Sequence, residues 1–533
     1  MKKNKTLYIF SLVLFLLVGS IGISLIIGIN FESTNNITNI NFNRPITSQV
    51  DPDNVKIAIY DESNVSHPSY FSGGVLTNNF TEVENTLINA GFQVSRLTTQ
   101  QIYNHGLNTS DFDILIMVDN IPREKIVNYV KEFWLGGGSI LSFDSGISFL
   151  CYAGILPPES EGNDGYNVYW KYVYSKTQNI TLKNPITKSH DVGDTFNVYY
   201  ADWATYNWTT LQSSSIASDF YKIATNLNYP NNASIVALEP SIRGGKTIQI
   251  LTSYYFKENT LLIDAIIWLA PRPKARIVYD LSHHPRLSVD PWDDLTQFPG
   301  YYETIRDDLV SRDYLFDKLY PMAIGNFTLK RLQKYDLLII VSPDYNYSDS
   351  DIQVINDWMD SRGSLLILGE SGSLSSFKSP VKQLNKLLSN FSLQINLTTL
   401  KIDTISANKW KNHQTFEFCT HIKMQTRGGI NISGSAYPLW KYDGDILIAA
   451  QEYKDSKIIL SADMNWMTDS QITNDDNEQF AINIVNWLTS YKTETLIVPG
   501  YNTFLILFSL ISFIGVLSLF LVKKKLRLIV RKI

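Results

Sequence analysis

At 533 residues with 44% apolar content, the chain can bury two or three domain cores, which excludes a disordered protein. A net charge of −5 over that length lacks the concentrated basic face that nucleic acid requires. The two cysteines, Cys151 and Cys419, allow one bridge at most, so no disulfide framework holds the fold.

Residues 1–6 form a short tail with Lys2, Lys3 and Lys5, and residues 7–29 are almost wholly apolar. That run suits a bilayer span of about 20 residues and exceeds the roughly 7–15 of a cleaved leader. No small-x-small cleavage site stands out, so it reads as a signal anchor. Residues 30–54 are Asn/Thr/Ser/Pro-rich without periodicity, a linker.

The first module, 55–270, opens with the strand Val55 to Tyr60, which ends at Asp61. A helix to Ala90 follows, then strands at 92–97 and 114–118, a helix over 124–135 and a strand at 139–143. Short apolar strands alternating with amphipathic helices predict an open, parallel, doubly wound sheet. Residues 156–232 are aromatic-rich and read as irregular or antiparallel additions. A Gly-turn hairpin near 235–251 and a helix over 261–270 close the module, and Pro271 and Pro273 mark its end.

The second module, 275–489, repeats the plan. Its centre is Asp336 to Gly372, where two continuous apolar runs flank an amphipathic helix, the pattern of two buried parallel strands and their crossover. Ile57 and Ile277 lie 220 positions apart, Ser139 and Ser364 lie 225 apart, and Ile266 and Val485 lie 219 apart. The helix ending Asn-Trp-Leu echoes the earlier Ile-Trp-Leu. These spacings predict an internal duplication.

A second apolar run, 503–522, precedes the basic tail 523–533. Positive charge beyond both runs puts both termini in the cytoplasm and residues 30–499 outside, in the cell membrane's extracytoplasmic space. A dozen Asn-x-Ser/Thr sequons, among them Asn36, Asn64, Asn79, Asn207, Asn326, Asn390 and Asn431, suit a glycosylated surface protein, although an Asn-rich chain makes many by chance.

The first strand with its acidic end, the Gly-Gly-Gly-Ser-Ile-Leu-Ser-Phe-Asp-Ser-Gly elbow, and the hairpin with the final Trp-Leu helix carry a resemblance. Each half resembles the class I glutamine-amidotransferase-like, flavodoxin-like fold, in the divergent form of the intraflagellar-transport GIFT domain. The span–ectodomain–span layout is similar to gliding-associated auxiliary subunits of ABC transporters. The resemblance implies an elbow cysteine and a late His-x-Glu in catalytic members. Here Asp144 and Glu370 occupy the elbow, Cys151 lies five residues past Gly146, and neither late hairpin has His-x-Glu. Thiolate chemistry is therefore not expected.

Ligands of open α/β sheets bind beyond the carboxyl ends of the strands. There the first module presents Asp61, Asp119 and Asp144, and the second presents Asp280, Asp344 and Glu370. These acids read either as caps and loop solvation or as a divalent-cation or sugar-hydroxyl site. His283 and His284 add the densest set of ligand-type side chains, with Asp290, Asp293 and Asp294, but without a zinc spacing. The aromatic run from Tyr166 to Tyr174 reads either as edge packing or as a carbohydrate platform. No cofactor motif appears, and a divalent cation is the one cofactor the acids could take.

The expectation is a non-catalytic binding or scaffold protein with two membrane spans. Its partners would be an ABC permease, surface proteins or a glycan, and not nucleic acid. The alternative is a metal-assisted surface hydrolase acting on glycans or peptides.

Overall fold

The computed structural model describes residues 50–61, 80–117, 124–143, 146–156, 170–171, 177–197, 205–207, 217–250, 259–293, 300–322, 326–398, 401–407 and 411–490. The two apolar runs expected to cross the membrane, with their tails and most of the linker, lie outside them. Among the described residues no helix is long and apolar enough to cross a membrane.

The chain is mixed α/β. Seven strands frame its first half: β1 (Lys56–Tyr60), β2 (Gln93–Leu97), β3 (Ile114–Met117), β4 (Ser139–Phe143), β5 (Phe220–Asn226), β6 (Tyr229–Leu238) and β7 (Thr247–Ile250). Seven more frame the second: β8 (Arg276–Asp280), β9 (Leu315–Leu319), β10 (Leu337–Val341), β11 (Ser364–Leu368), β12 (Tyr437–Tyr442), β13 (Asp445–Tyr453) and β14 (Ser456–Ser461). The first set is ordered β2-β1-β3-β4-β7-β6-β5 and the second β9-β8-β10-β11-β14-β13-β12. The second order is the first with every label raised by seven. In each sheet the first five strands are parallel and the last two antiparallel. The parallel part, 2-1-3-4 and then the last strand, has the flavodoxin-like order.

Central strands read as unbroken apolar runs because both faces are covered by helices. Leu-Leu-Ile-Ile-Val of β10 is buried at every position. The crossover helix Asp349–Asp360 begins at a capping box, in which Ser348 accepts from the Asp351 amide and Asp351 accepts from the Ser348 amide.

Matching bonds recur in both halves. The Lys56 amide donates to Asp113 at 2.9 Å, and the Arg276 amide to Asp336 at 2.8 Å, so one aspartate before the third strand pins the start of the first. Gly138 lies under the Phe133 ring, and Gly363 under the Trp358 ring, too close for any Cβ.

Of the two readings of residues 156–232, irregular or antiparallel, the described parts supply antiparallel strands: Thr177–Ile180 and Thr195–Asn197 extend the sheet beyond β5, while the side chains of the aromatic run 166–174 lie outside the described residues. The second half adds two ribbons that the pattern does not announce, Leu393–Ile395 with Ile430–Ile432 and Lys401–Ala407 with Ile422–Arg427.

The edge strand β9 is covered by the first half. The Phe316 amide donates to the Gly136 carbonyl at 2.9 Å, and the Thr109 and Ser110 amides donate to the Asp317 carboxylate at 2.8 and 3.0 Å. Lys318, only 2% exposed in its side chain, lies 2.6 Å from Asp290, 2.5 Å from Asp293 and 3.7 Å from Glu132 of the first half. Arg306 also pairs with Asp290. Burial opposes the Lys318 charge, but the three carboxylates hold it protonated, well above the ordinary lysine range. Burial raises Glu132 to about 7; Lys318 pulls it down while Asp293 and Asp290 push it up.

Candidate functional site

From β8 the chain crosses to β9 on one side, while β10 lies on the other. The carboxyl ends of β8 and β10 therefore flank the point where the strand order reverses, the usual crevice of a doubly wound sheet. Two loops meet there. Pro285 and Pro343 form a β-bridge, the Arg286 amide donates to the Ser342 carbonyl at 3.2 Å, and the Asp344 and Tyr345 amides donate to the His284 and His283 carbonyls at 3.0 and 3.1 Å.

Asp280, at the end of β8, is 2% exposed. Its Oδ1 accepts the Ser282 amide at 2.9 Å and the Ser282 hydroxyl at 2.5 Å. Its Oδ2 lies 2.8 Å from His283 Nδ1 and accepts the Tyr347 hydroxyl at 3.4 Å. The His283 ring sits between Phe327 and Tyr347, with centroids at 4.6 and 4.2 Å. Its Nε2 is buried without a hydrogen bond, 3.7 Å from the Asp351 carboxylate. Burial disfavours the imidazolium, but Asp280, and after it Asp351, favour it more, so His283 titrates above the ordinary value.

This set looks like a Ser-His-Asp triad by composition and is not one by geometry. A triad needs the hydroxyl on one ring nitrogen and the carboxylate on the other. Ser282 Oγ lies 3.0 Å from Nδ1, the nitrogen Asp280 already holds, and donates to Asp280 itself. The hydroxyl is thus held by the carboxylate and not by a free ring nitrogen.

His284 adopts a left-handed backbone (φ 54°) and stacks on Tyr345 with centroids 5.1 Å apart. Its Nδ1 is 3.9 Å from Asp344, whose other oxygen accepts Arg286 Nε at 2.6 Å. Of the expected site residues, the structure thus brings Asp280 onto His283 and Asp344 beside His284.

Glu370, after β11, takes different partners. It is 2% exposed; Oε1 accepts the Ser371 amide at 2.8 Å and Oε2 the Asn465 side-chain amide at 3.2 Å. Asp463, after β14 and 1% exposed, accepts the Asn465 amide at 2.7 Å and the Gln425 amide at 3.0 Å. Burial, and then the Asp463 charge, push the Glu370 carboxyl up to about 9, so it carries its proton at neutral pH. Asp463 was not among the expected residues, although its place in Ser-Ala-Asp-Met-Asn-Trp, where the resemblance puts a histidine, was the available signal.

In the first half, Asp61 pairs with Arg96 at 3.2 Å. Asp119 and Asp144 lie outside the described residues. Cys151 is buried in the helix Gly146–Tyr152, as a small apolar side chain would be. Asp290 and Asp293, the ligand-type side chains near the histidines, pair with Arg306 and Lys318, and Asp294 lies outside the described residues. Among the described residues no three His, Cys, Asp or Glu side chains are arranged to hold a metal ion.

No protein-family model and no curated protein matches the chain. Among solved structures it is similar to the mmIFT52 N-terminal domain, at 14% identity and a TM-score of 0.34, over 40% of this chain and 97% of that one. It is similar to a cytoplasmic protein, STM1381, of Salmonella typhimurium LT2, at 13% identity and 0.31, over 40% and 100%. A ThuA-like protein from Bacteroides uniformis ATCC 8492 is similar at 12% and 0.29, over 43% and 95%.

Proposed function

We propose that the chain is a membrane-anchored, extracytoplasmic binding or scaffold protein built from two amidotransferase-like halves that descend from a duplication and carry out no catalysis. The observation that carries this reading is the use of the strand-end acids of the second half. Asp280 is bonded to Ser282, His283 and Tyr347, Asp344 to Arg286, and Glu370 to Ser371 and Asn465. Asp280 and Glu370 have both carboxyl oxygens bonded inside the chain and Asp344 has one, and the Ser282 hydroxyl beside His283 donates to Asp280 rather than to a free ring nitrogen. The repeated strand order and the paired elbows support the amidotransferase-like assignment, and the two apolar runs with basic ends support the anchoring.

A scaffold so anchored suits an auxiliary subunit of an ABC-type transport system, with the covered β9 edge joining both halves into one rigid platform. The test is affinity purification of the full-length chain from gently solubilised membranes. A permease and an ATPase recovered in near-equal amounts support the reading. A chain recovered alone that hydrolyses glycans or peptides in a metal-dependent way overturns it.

A further inference from the structure

We infer that Asn346, Asn390 and Asn431 carry N-linked glycans and that the other sequons of the described residues do not. The proposal rests on the extracytoplasmic reading and adds to it the identity of the modified amides. An Asn-x-Ser/Thr triplet is common by chance in this chain, so the fold must decide which amides have room for a sugar.

Eight sequons have described asparagine side chains, and they divide sharply. Asn232 is 8% exposed within β6, in a sequon whose Ala233 and Ser234 are also buried. Asn179 lies in an inner strand, opposite Thr195 on one side and Thr225 on the other. Asn108 spends its amide on Asp111 at 3.1 Å, and the next two residues, Thr109 and Ser110, are sealed against β9. Asn326 donates its amide to the Ser282 carbonyl at 3.1 Å, and Asn396 turns its own toward Asn431 Oδ1 at 3.4 Å. A glycan at Asn108, Asn232, Asn326 or Asn396 would have to break a core or loop contact, and Asn179 stands between two paired strands, followed by a buried Ile180 and by Thr181, whose hydroxyl is bonded to the Lys222 carbonyl.

Asn346, Asn390 and Asn431 are exposed. Asn431 is the clearest acceptor. It lies on the ribbon Leu393–Ile395/Ile430–Ile432, opposite Gln394, and both face solvent while Leu393, Ile395 and Ile430 face inward. Ser433, the sequon's hydroxyl, is exposed too. A glycan there would also cover an open edge ribbon, the kind of surface that proteins protect from pairing with other chains.

The donor class is a lipid-phosphate-linked oligosaccharide. The Asn Nδ2–C1 bond forms as the sugar C1–O bond to phosphate breaks; the lipid phosphate leaves with the bonding pair, and the amide gives up one proton. Each site then gains one oligosaccharide mass.

The test uses the full-length chain in its own host, with protease shaving of intact cells and glycopeptide mass spectrometry on the same preparation. Shaving reports placement, and the peptides report acceptors. The expected result is a shaved chain with glycopeptides at Asn346, Asn390 and Asn431, unmodified peptides over Asn108, Asn179, Asn232, Asn326 and Asn396, and loss of the Asn431 glycopeptide in Ser433→Ala. A shaved chain with the three sites bare, or with a glycan on Asn108 or Asn232, overturns the assignment and leaves the placement standing. A chain that resists shaving overturns both.

Discussion

Replacing Glu370 with glutamine isolates the claim that this elbow acid is a buried neutral group rather than a ligand or base. Burial and Asp463 push its carboxyl from an ordinary 4.5 to about 9. The sign follows from linkage. A carboxyl raised in the folded state contributes stability that is fully present below its unfolded value and lost as pH rises through the folded one. The wild-type chain therefore loses stability between about pH 4.5 and pH 9, while glutamine stays neutral throughout. At about 1.4 kcal/mol per pH unit the window spans up to ~6 kcal/mol, and water entry and relaxation around a buried ion reduce it to ~2 kcal/mol near pH 8.5. Glutamine keeps the Ser371 bond, and Asn465 can turn its amide to accept from the new NH2 group. With roughly 2 °C per kcal/mol in a chain of this size, Glu370→Gln should melt ~4 °C above wild type near pH 8.5 and level with it near pH 5. Differential scanning calorimetry of the full-length chain in detergent at both pH values measures this. An equal loss of stability at both values refutes the reasoning.

Lys318→Met leaves Asp293 and Glu132 without their buried cation and Asp290 with Arg306 alone, and should cost about 3–5 kcal/mol by denaturant titration. Adding Glu132→Gln should restore part of that loss, because the two side chains share one network between the halves. Gly363→Ala drives a methyl into the Trp358 ring and should cost about 1–3 kcal/mol, and Gly138→Ala under Phe133 should cost a similar amount. Asp280→Asn removes the carboxylate that does most to hold the His283 proton. His283 contributes stability below its ordinary value of 6.5 that is lost as pH rises through its raised folded value, so the variant should lose more stability near pH 6 than near pH 9. A histidine titration by NMR checks the same change directly.

Much of the fold was legible where local pattern and environment agree. The Leu-Leu-Ile-Ile-Val of β10 and the Ser-Leu-Leu-Ile-Leu of β11 read as buried parallel strands because helices cover both faces. The shared spacing of 219–225 residues anticipated the shared strand order. β9 was not legible in the same way. Leu-Phe-Asp-Lys-Leu looks like a half-exposed edge strand, yet all five residues are buried, because the first half covers that edge, bringing Glu132 to Lys318 and the Thr109 and Ser110 amides to Asp317 across 208 and 207 positions. The ribbon of Leu393–Ile395 with Ile430–Ile432 was missed because strands of three residues carry too little alternation to show a period. The site was half visible. Asp280, His283, His284 and Asp344 announce themselves at two strand ends, whereas the coupling of Glu370 to Asp463 arises only once β11 and β14 are neighbours, and the one local sign of it was the place of Asp463 in Ser-Ala-Asp-Met-Asn-Trp.

The measurement that tests the central claim most directly is metal content together with melting temperature of the full-length chain, with and without chelator. No stoichiometric divalent ion and no shift of the melt are expected, because Asp280 and Glu370 have both carboxyl oxygens bonded within the chain and Asp344 has one of its two held by Arg286. One ion per chain, with a melt that falls on its removal and a fall that disappears in Asp280→Ala or Glu370→Ala, would contradict it and restore a metal-dependent site at the strand ends.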